Sequence, residues 1–368
     1  MTLDRRQFLL RSGLFAAFGP TLLAACGDDG SSSGGNDTLR IATWPFYIED
    51  DQNPDKAPTI KNFVAKTGIH VDYKTEVDAN DSFTAKYSPD LQKGNGIGYD
   101  IVVLTSWMAS RWIKNGWTQA LDDAKIPNKT NLLDRMQNPP WDPGRKHSLP
   151  ADIGQVGIAY YPEKTGFEIT STKDLLDPRL QGRVTILSEL RDCLGLFILA
   201  NGIKPEEVTV AQAKEAIDQI AQARDKGQFR KITGNSYIED LGLGDVHAAV
   251  AWSGDVASLQ IDHPELKWVV PKEGAMSFVD TMMVPTGGNL DVAQQWMNYY
   301  YDPEVSGKLF EAISYTSPVK GAADHMSPKA AANPLINPPA NAAIHDFRDL
   351  SEAEAEELET AFAKATQQ

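Results

Sequence analysis

Cysteine is nearly absent: Cys26 and Cys193 are the only two in 368 residues, too few for a disulfide scaffold or for a thiolate zinc or iron–sulfur site. Histidine is sparse as well. His70, His147, His247, His263, His325 and His345 show no HExxH or other close spacing that would aim imidazoles at one metal. Positive charge is scarce, with 35 Lys and Arg against 50 Asp and Glu and a formal charge of −15. That is the wrong sign for a surface that must neutralise phosphates, so nucleic-acid binding is not expected. No phosphate-binding turn is evident, because Gly94, Gly96 and Gly98 precede a strand instead of following one. Long apolar runs are lacking too; Gly13, Gly19 and Pro20 break the one near the N-terminus, short of the roughly 20 residues a bilayer span needs. What remains is a chain 42% hydrophobic and 23% charged, a globular composition with length for two domains of ordinary size.

The N-terminal stretch reads as an address. Arg5 and Arg6 precede an apolar segment that ends in Leu22-Leu23-Ala24-Ala25-Cys26. This resembles a twin-arginine export signal closed by a lipobox, in which Cys26 receives lipid and becomes the mature N-terminus. Residues 27–37, Gly, Ser, Asp and Asn without an apolar side chain, read as a flexible tether. Removing residues 1–25 takes away Arg5, Arg6, Arg11 and Asp4, leaving 32 basic against 49 acidic side chains and a charge of −17.

From Leu39 onward, strand and helix patterns alternate. A short strand through Ile41 precedes an amphipathic helix with Ile60, Phe63 and Val64 on one face, stopped at Gly68. Ile69, Val71, Tyr73, Thr75 and Val77 alternate as a half-buried strand does, and Ile101-Val102-Val103-Leu104 is the continuous run of a central parallel strand. Further strands are expected near 155–160, 183–187, 247–252 and 267–271, with helices near 210–224 and 290–300. The fold class is α/β.

In open parallel sheets ligands bind beyond the carboxyl ends of the strands, where loops converge on a rigid support. The residues at those exits here are Trp44 and Tyr47, then Thr105, Ser106 and Trp107, then Glu189 and Asp192, then Trp252 and Asp255. Phe278 with Asp280, and Tyr315 in Ser314-Tyr315-Thr316-Ser317-Pro318, extend the series. Carboxylates crowded into a partly desolvated cleft raise one another's pKa, and without a basic partner they lack a cation. Ring faces attract ammonium groups and pack on methylenes, which suits an alkyl chain carrying separated positive charges. The reading requires that no lysine or arginine stand among these acids.

The ordered segments Trp44-Pro45-Phe46-Tyr47, Tyr99 to Trp107, Ser188 to Asp192, Ala251 to Asp255, Phe278-Val279-Asp280 and Tyr315 to Pro318 resemble the spermidine/putrescine-binding proteins of ABC importers, over most of the chain from Leu39. The resemblance implies a two-lobed periplasmic-binding-protein fold of type II, with lobe 1 formed by 38–149 plus 281–322 and lobe 2 by 150–280 plus 323–368. Hinges fall near Pro150 and near 280–285. It implies aromatic walls from Trp44, Tyr47, Trp107, Trp252, Phe278 and Tyr315, ammonium partners in Glu189, Asp192, Asp255 and Asp280, and a neutral acceptor in Thr105. The function implied is noncatalytic: a monomeric receptor, anchored to a membrane through Cys26, that hands a polyamine to a permease, with neither cofactor nor metal. Family members commonly carry an acid between the paired Trp and Tyr, and this chain has Pro45 and Phe46 there. Asp152 is a candidate replacement; a hinge carboxylate is the other reading. His345-Asp346-Phe347-Arg348 falls where the family can supply a polar contact.

Other readings compete. Trp44 and Tyr47 could be core aromatics, and Glu189, Asp192 and Asp255 could serve only as acids favoured at helix N-termini. Asp280, flanked by Phe278, Val279, Met282 and Met283, needs a partner in so apolar a strand. Glu189 with Asp255 could act as acid and base in an exported glycoside hydrolase, and another organic cation could replace the polyamine. Tyr299-Tyr300-Tyr301 invites a ferric-ion site, although aromatic packing is the simpler role. Cys193, beside Leu194 and Leu196, reads as a buried small residue.

Overall fold

The computed structural model describes residues 38–77, 80–234, 236–339 and 342–367; the export segment, Cys26 and the tether at 27–37 lie outside them. β1 (Thr38–Ala42) runs parallel to β2 (His70–Lys74) and to β3 (Ile101–Thr105). Helix α1 (Pro58–Thr67) connects the first two and buries Ile60 and Phe63. It ends at Gly68, whose φ of 75° is the left-handed C-cap conformation that glycine adopts without a Cβ penalty. α2 (Asn80–Leu91) and α3 (Ser106–Lys114) flank β3.

A second parallel group is made by β5 (Val184–Leu187), β6 (Phe229–Thr233) and β7 (Ala248–Trp252). Its helices are α4 (Leu190–Ala200), α5 (Val210–Asp225), α6 (Tyr237–Gly242) and α7 (Ser253–Asp262). Two long strands join the groups: β4 (Ser148–Tyr160), buried throughout, and β9 (Ala275–Met283), antiparallel to each other. The sheet order is β2-β1-β3-β9-β4-β7-β5-β6, with β8 (Lys267–Val269) on β4 and β10 (Ile344–His345) on β9. The sheet is therefore mixed. The central parallel strand expected at Ile101–Leu104 is β3, which is parallel to β1 on one side but antiparallel to β9 on the other. Antiparallel strands are needed there because the chain crosses between the halves and returns.

Each half has its own core. Leu39, Ile41, Phe63, Ile101 and Trp296 pack on one, with α8 (Leu290–Tyr300) and α9 (Pro303–Ile313). Ile186, Leu194, Val250 and Ile217 pack on the other, joined by Leu358 and Phe362 of α10 (Glu352–Thr366). Phe278 of β9 touches both. The fold is thus α/β and two-lobed, and no helix among the described residues is long and apolar enough to cross a membrane.

The tyrosine triplet at the end of α8 serves packing. Tyr299 donates to the Thr59 carbonyl at 3.1 Å, Tyr300 to Ala151 at 2.8 Å and Tyr301 to Pro150 at 2.8 Å, all buried. Cys193 is fully buried and burial pushes its thiol pKa up, away from reactivity. The 345–348 segment is tied down structurally: His345 lies 3.1 Å from Glu206, Asp346 accepts from Ser277, and Arg348 holds Glu354 at 2.6 Å.

Candidate functional site

Thr105 ends β3 and is the register partner of Asp280, which sits in the middle of β9. Asn80 holds the threonine, its amide donating to Oγ1 at 2.9 Å and its carbonyl accepting the Thr105 N–H at 3.0 Å. No sequence signal marked Asn80, which lies in a polar stretch that reads as loop. Asp280 is 3% exposed. Burial raises its pKa to about 6, opposed by hydrogen bonding from Tyr47 and Thr105, and the Tyr47 hydroxyl donates to its Oδ2. The Tyr47 ring meets Tyr315 edge-on at 5.6 Å, and Tyr315 meets Phe278 edge-on at 6.3 Å. Trp44 is half-buried against the first core, its indole N–H lacking a partner.

A second group forms where β5 and β7 end. Glu189 is the N-cap position of α4 and Asp192 stands in its first turn. The Trp252 indole donates to Asp192 Oδ2 at 2.7 Å. Burial lifts Asp192 to about 7; the indole bond opposes this, while Glu189 and Asp280 add to it. Glu189 stays open to water, so the upward push on it from its surroundings and from Asp81 is screened. Asp255, in the first turn of α7, accepts the Tyr237 hydroxyl at 2.7 Å, and that hydroxyl accepts the Trp252 backbone N–H at 3.0 Å. Tyr237 was not anticipated, because a lone tyrosine at the start of a short helix carries no signal of what its hydroxyl meets.

Tyr315 connects the two groups. Its ring lies over Gly254, where a Cβ would fall 2.6 Å from Cζ. Phe278 likewise covers Gly154, where a Cβ would come within 2.0 Å of its ring. The two glycines let ring faces sit directly on backbone, beside Asp280 on one side and Asp255 on the other.

Trp107 departs from this pattern. Its ring carries the guanidinium of Arg191 at 4.0 Å and that of Arg111 at 4.8 Å, and both arginines lie 3.7 Å from Glu359 of α10. The expectation that no positive side chain stands among the acids is corrected here: Arg191, mostly buried, lowers the pKa of Glu189 and Asp192, and the requirement is met only by the deeper Asp152 and Asp280, on which no arginine acts. Arg191 reaches its place because it follows Glu189 in the first turn of α4, facing α3. Deeper in, Asp152, Asp192 and Asp280 form no salt bridge among the described residues. No group of three or more His, Cys, Asp or Glu among the described residues is placed to hold a metal. Desolvated carboxylates between ring faces are an arrangement for binding cations.

Known proteins share both sequence and fold with this chain. It is 28% identical over 337 residues to the spermidine/putrescine-binding periplasmic protein 1 of Haemophilus influenzae, covering 89% of each chain. It is 29% identical over 327 residues to the putrescine-binding periplasmic protein PotF of Escherichia coli, covering 83% of this chain and 84% of that one. Among solved structures, the spermidine/putrescine ABC transporter substrate-binding protein PotD of Streptococcus pneumoniae superposes with a TM-score of 0.76 at 22% identity, over 89% of this chain and 98% of that one. The description "Bacterial extracellular solute-binding protein" matches residues 59–338, most of the length, and the chain belongs to that family.

Proposed function

We propose that this protein is a noncatalytic receptor that captures a polyamine of the putrescine–spermidine class outside the membrane and delivers it to the permease of an ABC importer. The observation that carries the reading is the convergence of Asp280, Asp192 and Asp255 with the rings of Tyr47, Phe278, Tyr315 and Trp252. Each ammonium held by a carboxylate contributes roughly 1.5–3 kcal/mol, and a ring face about 0.5–2 kcal/mol more. The names of the relatives support the same ligand class. Hydrolysis by Glu189 and Asp255 fits less well, since Asp255 is buried and accepts the Tyr237 hydroxyl while Glu189 stands open to water, which separates the environments of the two acids.

In this reading 38–149 with 281–322, and 150–280 with 323–368, are lobes that close on the ligand about β4 and β9. Cys26 carries the lipid, residues 27–37 are the tether, and the receptor acts as a monomer. Calorimetry of the purified protein with putrescine, spermidine, spermine, an amino acid and an oligosaccharide tests it. Saturable amine binding with the ligand recovered unchanged is expected; absence of binding to every amine, or a cleaved oligosaccharide, overturns the reading.

A further inference from the structure

Asp152 is 0% exposed, and neither of its carboxylate oxygens meets a hydrogen-bond partner. It is the register partner of Asp280 across β4 and β9, just past an irregularity between Pro150 and Asp152. Asp280 is in turn the register partner of Thr105 on β3. Residues directly opposite in neighbouring strands project from the same face of the sheet, so Thr105, Asp280 and Asp152 form a row on the face that carries Phe278. The Oδ1 of Asp280 is also buried without a partner. Two carboxylates thus stand side by side out of water.

Like charges directly opposite are destabilising, and an unpaired buried charge is costly. The groups acting on Asp152 from the elements around it are Asp280 on β9 and the phenols of Tyr47 after β1, Tyr73 on β2 and Tyr300 on α8. None of these is a cation. Tyr300 spends its hydroxyl on the Ala151 carbonyl and Tyr47 donates to Asp280. Burial and the neighbouring Asp280 push the Asp152 pKa up, opposed by the Tyr47 hydroxyl, so the ionised form of this place is held back until a cation arrives. The two positions between Trp44 and Tyr47 are Pro45 and Phe46, so that loop brings no acid.

We propose that Asp152 and Asp280 together form the acceptor for one terminal ammonium of the ligand, with Asp152 supplying from the sheet floor the second carboxylate that the Trp44–Tyr47 loop does not provide. This rests on the amine-receptor reading above and names how one end of the ligand is gripped. A primary ammonium brings three N–H donors and one charge to a place with unfilled carboxylate lone pairs.

Calorimetry with putrescine tests this on wild type, Asp152→Asn and Asp280→Asn. The expected result is a loss of affinity of at least tenfold in both variants, with each variant folded by circular dichroism. A second measurement titrates wild type and Asp152→Asn with putrescine in two buffers of different ionisation enthalpy; since burial and Asp280 raise the Asp152 pKa, wild type is expected to release more protons on binding than the variant. Asp152→Asn binding within twofold of wild type, or equal proton release by wild type and Asp152→Asn, overturns the proposal while amine binding itself stands. Failure of wild type to bind putrescine or spermidine would instead remove the receptor reading on which it depends.

Discussion

The indole N–H of Trp252 donates to Asp192 at 2.7 Å, tying the last residue of β7 to the first turn of α4. This bond fixes the direction of a carboxylate whose burial raises its pKa to about 7, so that it is only partly ionised near neutral pH. Trp252→Phe keeps an aromatic face and removes the donor. A hydrogen bond to a charged group is worth about 1.5–3 kcal/mol, so putrescine affinity should fall roughly tenfold or more. Asp192 should also titrate higher, which carboxyl-carbon NMR reads directly; an unchanged Asp192 titration would show that the indole does not set its charge.

Gly254 is a steric prerequisite for the position of Tyr315. A Cβ at 254 would fall 2.6–2.8 Å from ring atoms of Tyr315, and the ring cannot withdraw freely because Tyr47 and Phe278 stand beside it. Gly254→Ala should cost about 1–3 kcal/mol by overpacking, seen as a lower thermal midpoint, and weaken amine binding as well. A variant with wild-type stability and affinity would mean that Tyr315 moves without consequence.

The ligand-free and ligand-bound proteins should respond to pH in opposite directions. Asp280 and Asp192 have folded pKa values raised to about 6 and about 7, above the roughly 3.9 of an unfolded aspartate. Between those values the native state binds more protons than the unfolded state, so stability without ligand falls as pH rises from about 4 to about 7. A cation prefers the ionised carboxylates, so affinity rises over the upper part of the same window. Thermal midpoints from pH 4.5 to 7.5, with and without spermidine, should diverge as pH increases; parallel curves would contradict it.

Arg191 opposes the rest of the site electrostatically. Its guanidinium lies 4.0 Å from the Trp107 ring and lowers the pKa of Glu189 and Asp192. Arg191→Met removes one positive charge from the path of a dication while keeping apolar volume on the indole. Binding should tighten several-fold, about 1 kcal/mol for a unit charge screened at an effective dielectric near 20, and the gain should shrink as salt is added. Weaker binding in this variant would show that the arginine instead supports the site by holding α3 and α10 together through Trp107 and Glu359.

The sequence by itself determined the alternation of strands and helices and the identity of the residues at strand exits. Thr105, Glu189 and Trp252 stand at the ends of β3, β5 and β7 because hydrophobic periodicity marks where a buried strand stops and a polar turn begins. Periodicity also marked Asp280 as an acid inside an apolar strand. It says which face a residue takes, not which strand lies alongside, and partners across strands depend on register. So only the tertiary structure decided that β9 runs antiparallel between β3 and β4, setting Asp280 between Thr105 and Asp152. It alone brought the Tyr237 hydroxyl to Asp255 and the Arg191 guanidinium to Trp107, because those contacts join segments whose separation along the chain carries no trace of their proximity in space.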